Sequence, residues 1–380
     1  MNAQVEASSC MRWEREPTAI GRRVDVMGLG YEDLRAGALP REPAYRAGQL
    51  YRWLYQKRAE TFAEMTDLPK ALRNDLATRA AIGRLRRVAR VETSDRSVVR
   101  YVFALDDGER IETVLMREED RTTLCVSSQV GCSQGCVFCA TAQVGLRRNM
   151  TAGEIVNQLV HVEVEIGRGA VTNVVFMGMG EPLANYKNVV RALRVLTDPH
   201  AFGIAAAKVT VSTSGLVPAI ERFADEGLRV RLALSLNATT DDVRDRLIPS
   251  NRRYGIARVL ESCRRWTAAA RRELTVEYVL LQDVNDNVED AHRLSRLLAG
   301  LPCKVNLIPF NPVPGTGFWR PSSARVAAFR DVLVSHNCVA TVRETRGEEI
   351  TAACGQLRAQ YISTSAVGRD LACGAAGAPS

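Results

Sequence analysis

The sequence predicts an α/β protein built on a parallel sheet, and three observations carry that prediction. Short apolar runs of strand type recur from about residue 120 onward: TLCVSS, TNVVFMGM, KVTVSTSG, RVRLALSLN, LTVEYVLL and KVNLIPFN. Helical patterns such as TAGEIVNQLVHVEVEIG, YKNVVRALRVL, VPAIERFADEG and NVEDAHRLSRLLAG lie between them. The unusual polar and cysteine-bearing segments follow the strands. Strands and helices alternating in this way argue for parallel pairing, in a doubly wound sheet or in one curved into a barrel. In either case the chemistry belongs at the C-terminal strand ends.

Ahead of this core, residues 1–100 read as a small, mainly helical module. In YRAGQLYRWLYQKRAETF, Leu50, Trp53 and Leu54 fall at helical spacing. In DLPKALRNDLATRAA, Asp67 suits a cap, Pro69 a first turn, and Leu72 and Leu76 continue one apolar face. A strand pair follows, VVRYVFAL and ERIETVLM, with the turn signal DDGE between them. Residues 101–117 thus connect the module to a core over 118–348. Residues 349–380 form a C-terminal segment, of which 366–380 are small and polar enough to fray.

A chain of 380 residues can hold one large domain and one small one. No stretch approaches the roughly 20 apolar residues of a membrane span. The N-terminus mixes charges with polar residues and lacks the apolar run of a secretory signal. A cytoplasmic protein is the expectation, and there clustered cysteines indicate metal or redox chemistry rather than disulfides. The net charge of +8 is uneven: residues 51–100 carry twelve basic against six acidic side chains, partly in RLRRVAR with Arg84, Arg86 and Arg87. Such an excess suits phosphate contacts to a polyanion, or else a solvated helix face.

Four of the ten cysteines fall within fifteen residues, in CVSSQVGCSQGCVFCATA. Cys132, Cys136 and Cys139 form C-x3-C-x2-C, and Cys125 stands seven residues upstream. Three thiolates would leave one iron of an iron–sulfur cluster open to an external ligand. Four would close a zinc knuckle. Gly131 and Gly135 supply the backbone freedom to wrap such a centre. GMGEP puts Gly180 at a strand end, where backbone can approach a ligand, and Glu181, which can pair with an ammonium group. Ser212, Ser235, Asn237 and Asn311 add polar groups at other strand ends, although each could equally cap a loop. Together they describe a pocket for a small ligand bearing a charged amine.

With these motifs in hand, the C-x3-C-x2-C triplet and GEP resemble the radical S-adenosylmethionine (SAM) superfamily. TLCVSSQVGCSQGCVFCATAQ, VVFMGMGEPLANYKNVV, VTVSTSGLVPAI, RDRLIPSNRRY, KVNLIPFNPVPG and TRGEEITAACGQL resemble the RlmN/Cfr family of RNA adenine methyltransferases, over about residues 43–358 and in the family's order. The RlmN branch is the nearer. The resemblance implies a partial (β/α)6 barrel of the radical SAM type. It implies a 4Fe-4S cluster on Cys132, Cys136 and Cys139, whose open iron binds SAM. Gly180 and Glu181 would meet the SAM amine, and Ser212, the segment Ser235, Leu236 and Asn237, and Asn311 would line the rest. The family often has histidine at the position of Asn237.

The resemblance also assigns the reaction. Cys354 would carry a methyl group as S-methylcysteine, Glu112 would accept the ring proton, and Cys125 would resolve the protein–RNA adduct through a transient disulfide with Cys354. Two SAM molecules are consumed, because the target ring carbon is electron-poor and takes no methyl by simple displacement. The implied substrates are carbon 2 of an adenosine in 23S rRNA near the peptidyl transferase centre and an adenosine of the tRNA anticodon loop. The implied electron donor is a flavodoxin or ferredoxin, and the protein is expected to be a monomer. A Cfr-type enzyme acting on carbon 8 and a zinc-stabilised RNA-binding protein are the alternatives. Cys10, Cys263, Cys303, Cys338 and Cys373 read as small hydrophobes.

Overall fold

In the computed structural model, residues 19–20, 23–343, 347 and 349–357 are described. The segment 366–380, expected to fray, lies outside them, as do Cys10 and Cys373. Ten strands form one sheet: β1 (Arg86–Glu92), β2 (Val98–Ala104), β3 (Arg110–Arg117), β4 (Thr122–Cys125), β5 (Asn173–Phe176), β6 (Val209–Thr213), β7 (Arg231–Ser235), β8 (Leu274–Leu280), β9 (Cys303–Pro309) and β10 (Val339–Val342). They lie side by side in chain order. The strands from β4 to β10 pair in parallel, and β1 to β4 pair antiparallel. A doubly wound sheet reverses its strand order at a switch point. This one does not, so the partial barrel is the form adopted.

The six runs read as strands are all present, and each is joined to the next by a helix. Their faces divide by alternation. Val209 and Val211 of β6, Leu232 and Leu234 of β7, and Val276 and Tyr278 of β8 are fully buried. Ser212, Ser235, Glu277 and Asn306 occupy the alternate positions, on the opposite face. A seventh parallel strand, β10, is new relative to the sequence reading. Its VATV is short and only half covered, so it lacked the apolar density of the other six.

The N-terminal module contains α1 (Ala44–Arg52) and α2 (Lys70–Arg79), with a small three-stranded sheet of Ala19–Ile20, Arg23–Asp25 and Ala80–Ala81. Leu50 and Leu54 are fully buried, as their spacing requires. Asp67 does not cap α2; Pro69 occupies that position. The Asp67 carboxylate instead accepts from the Trp53 indole N–H, and its carbonyl accepts from Arg46 and Gln49. Residues 86–100, read with the helical module, belong to β1 and β2 of the large sheet. Within RVARVE, Arg90, Val91 and Glu92 alternate as a strand does, and a bulge between Arg87 and Ala89 shifts the register ahead of them.

The basic run must also be divided. Arg84 is turned inward, where its guanidinium donates to the Ala59 carbonyl at 2.7 Å and to Asn157 Oδ1 at 3.1 Å. Arg87 and Arg90 pair with Glu165 of the long helix Ala152–Ile166. Arg86 alone of the three candidates is exposed without such a partner. Arg84 therefore fastens the module to the core, together with the Arg58–Glu163 ion pair and the Tyr51 hydroxyl on Asp198 at 2.8 Å. Arg84→Met is expected to cost about 2–3 kcal/mol in urea unfolding, because it strands buried acceptors. Arg86→Glu should change stability by less than about 0.5 kcal/mol.

Candidate active site

The cysteine loop closes between residues 131 and 145. Gly131 has φ of 77°, and a Cβ there would sit 1.7 Å from the Gly145 carbonyl oxygen, so glycine is required. The Cys132 N–H donates to that same oxygen at 3.2 Å. Phe138, the residue before the last cysteine, anchors the loop in a small apolar cluster with Leu247, Ile248, Leu281, Phe310 and Val313. Cys136 and Cys139 pack against this cluster.

Burial pushes the thiols of Cys132, Cys136 and Cys139 up, Cys132 to about 12, and the sulfurs of Cys132 and Cys139 push Cys136 further. Three thiols gathered out of water are poor acids alone and good ligands once a cationic centre replaces their protons. The fully buried Arg244 adds positive charge beside Cys136 while donating to the carbonyls of Leu236 and Ser214 at 2.9 and 2.5 Å. Among the described residues, no group of three His, Cys, Asp or Glu side chains is arranged to hold a single metal ion. A cluster needs something else: its ligands bind separate irons at separate corners. The donor set fits a three-cysteine cluster.

Around it the strand ends supply the residues read from sequence. Gly180 has φ of 104°, and a Cβ there would sit 2.6 Å from the Gln129 Cβ. Burial raises the Glu181 carboxyl, whose oxygens accept the N–H of Leu183 at 3.1 Å and of Ser214 at 2.8 Å. This carboxylate thus ties the ends of β5 and β6 together. Ser212 and Ser235 face one another across β6 and β7, Oγ to Oγ 3.4 Å. Leu236 is buried, and its N–H and carbonyl are engaged by Glu277 and Arg244. Asn237 has φ of 58°, a conformation asparagine tolerates better than most residues, and its Oδ1 accepts the Val279 N–H at 2.8 Å. Asn311 donates to the Cys354 carbonyl at 3.2 Å and accepts from Arg320 at 2.9 Å.

Cys354 lies in a segment fastened beside the cysteine loop. Ala140 N–H donates to Gly355 at 2.7 Å, Thr141 to Leu357 at 2.7 Å, and Gln356 to Pro312 at 3.0 Å. Cys125 ends β4, and the Cys354 sulfur acts on it directly: burial first, then Cys354, pushes the Cys125 thiol up to about 12. Both are free thiols in this structure. Cys125 is paired with Val114 of β3, and Glu112, two residues earlier, projects from the same face. Glu112 is buried, with Arg100 3.6 Å from Oε1, and its carbonyl accepts from Ser127 Oγ at 2.6 Å.

Sequence reasoning missed Arg343 and Glu277. Arg343 follows β10, and Cys354, Glu277 and Cys125 all favour its charged form. Glu277 is buried in β8, where Asn306 donates to it at 3.1 Å and accepts from Thr341 at 2.7 Å. Its signal was a lone carboxylate in LTVEYVLL. Arg343 had none, because its strand was not recognised.

The comparisons with known proteins agree with this geometry. Residues 126–295 match the radical SAM superfamily, and residues 24–82 match the ribosomal RNA large subunit methyltransferase N-terminal domain. A dual-specificity RNA methyltransferase RlmN of Geobacter sulfurreducens is 46% identical over 351 residues, covering 92% of this chain and 96% of the relative. That of Anaeromyxobacter dehalogenans is 48% identical over 326 residues, covering 84% and 87%. A radical SAM methyltransferase structure from Sphaerobacter thermophilus superposes with a TM-score of 0.83 at 48% identity, covering 89% of this chain and all of that one. The chain belongs to the RlmN family of radical SAM RNA methyltransferases.

Proposed function

We propose that this enzyme methylates carbon 2 of an adenosine in 23S rRNA and an adenosine of the tRNA anticodon loop. Cys132, Cys136 and Cys139 hold a 4Fe-4S cluster, and the strand ends from Gly180 to Asn311 bind SAM. The observation that supports the reading is that Cys125, at the end of β4, feels the sulfur of Cys354, whereas the thiols that act on Cys136 are those of Cys132 and Cys139. A zinc knuckle would need the reverse.

When bound, the cluster and SAM supply a methyl group and the oxidising power to remove hydrogen from it. The rest falls to side chains. Arg343, whose charged form Cys354 favours, puts positive charge beside the sulfur that accepts a methyl group. Asn311 holds the Cys354 backbone so that the methylated sulfur faces the barrel. Once its carbon has bonded to the adenine, Glu112 takes the ring proton as the adduct gives up its one unpaired electron, for which a cluster held by Cys132, Cys136 and Cys139 would be the acceptor; burial keeps that carboxylate away from competing water. Cys125 then attacks the Cys354 sulfur. The sulfur–carbon bond breaks, its electron pair leaves with the carbon, and a proton completes the new methyl group. A flavodoxin or ferredoxin supplies electrons.

Mass spectrometry of 23S rRNA and tRNA from cells with and without the gene tests this. Loss of 2-methyladenosine from both RNAs is expected in the deletion strain. A change confined to carbon 8, or no change in either RNA, would refute the assignment.

A further inference from the structure

The loop between β9 and the helix Ser323–Ser335 carries an indole that nothing so far described uses. Trp319 is 71% exposed, the most exposed aromatic among the large exposed hydrophobics of the described residues. The backbone beneath it is nevertheless held on three sides. Its carbonyl accepts the Gln282 N–H at 3.0 Å. Arg320, the next residue, donates to the Phe310 carbonyl at 2.7 Å and to Asn311 Oδ1 at 2.9 Å. Phe318, the residue before, meets the Phe310 ring edge-on, with centroids 6.3 Å apart. An indole in water on a fixed support is a prepared surface.

Its position is set by a short chain of contacts. Cys354 is bonded to Asn311, Asn311 to Arg320, and Arg320 is adjacent to Trp319. Gln143 reaches the Pro314 carbonyl of the same loop at 3.5 Å, bringing up a segment in which Val144 and Leu146 are also exposed, at 40% and 42%. Exposed apolar side chains thus stand on two segments that are both tied to the Cys354 stretch, one through Ala140 and Thr141 and the other through Asn311.

On the reading of this protein as an RNA adenine methyltransferase, we infer that Trp319 is a stacking platform for a nucleobase flanking the target adenosine. A base must leave its stack to reach a sulfur inside a barrel, and its neighbour then loses a stacking partner. An exposed indole on a fastened backbone replaces that partner. Every base has a π-face, so the contact is indifferent to sequence, as an enzyme acting on two different RNAs requires.

The test is steady-state methylation of a tRNA anticodon stem-loop and a 23S rRNA fragment by Trp319→Ala and Trp319→Phe, with dithionite as reductant. Iron content and visible absorbance establish that each variant is folded and loaded. The Ala variant should raise KM for both RNAs roughly ten-fold, with a much smaller change in kcat, and the Phe variant should recover most of that loss. An Ala variant with KM within two-fold of wild type would overturn the stacking role. So would a defect seen only when a protein reductant replaces dithionite, which would make this face a reductase surface. Wild-type protein that methylates neither RNA would bring down the functional reading itself, a result distinguishable from both.

Discussion

A Cys125→Ala variant incubated with SAM, reductant and an rRNA fragment is expected to remain covalently joined to RNA, as a shifted band on a denaturing gel. Cys125 ends β4, outside the cysteine loop, and feels the Cys354 sulfur, so its removal should leave the cluster intact. Methylation of Cys354 and addition to the adenine should then proceed. The adduct should persist, because the sulfur that would resolve it is gone and Cys139, the other thiol that feels Cys354, would be held by the cluster. Turnover should fall to background while iron content stays at the wild-type level. Cys354→Ala should give no band at all, since no sulfur carries the methyl group. Loss of iron from the Cys125 variant would make it a metal ligand. No cross-link despite an intact cluster and bound RNA would remove it from the reaction.

Cys136→Ala is expected to abolish both the cluster and 5′-deoxyadenosine production in anaerobically prepared protein. This thiol packs against the Phe138 cluster and feels the sulfurs of both Cys139 and Cys132. Two remaining thiols cannot hold three irons of a cluster, so the visible absorbance should disappear rather than weaken. The fold should survive, because the loop is also anchored by Phe138 and by the Val137 N–H on Leu247 at 3.1 Å. Normal iron and 5′-deoxyadenosine in this variant would end the assignment of the triplet as cluster ligands.

Both outcomes depend on how the four clustered cysteines divide, and that division shows what was legible in advance. Spacing alone left Cys125 open between zinc ligand and reaction partner. Six strands and their helices were legible, because alternation and helical periodicity are local properties of a chain. So was the placing of Cys132, Glu181, Ser212, Ser235 and Asn311 at strand ends. The basic run 84–90 was legible as charge, but not as Arg84 turned inward and Arg87 paired with Glu165, because the partners lie 73 and 78 residues away. Asp67 read as a cap because its local context suits one. The Trp53 indole and two side chains from α1 claim it instead, through contacts that no window of sequence contains.

By itself the sequence determined the βα alternation, the cysteine triplet and its glycine hinge, and, through family motifs, the class of chemistry. Each of these rests on neighbours within a few residues. Only the tertiary structure decided that the sheet stays in chain order without a switch point, that β10 adds a seventh parallel strand, and that Arg343 at its end joins Cys125 with Cys354. It also decided that Glu277 meets Asn306 and that Trp319 stands exposed. The physical reason is long-range register. A strand pairs through backbone groups common to every residue, so the side chain that ends up opposite a given sulfur depends on the packing of the whole sheet.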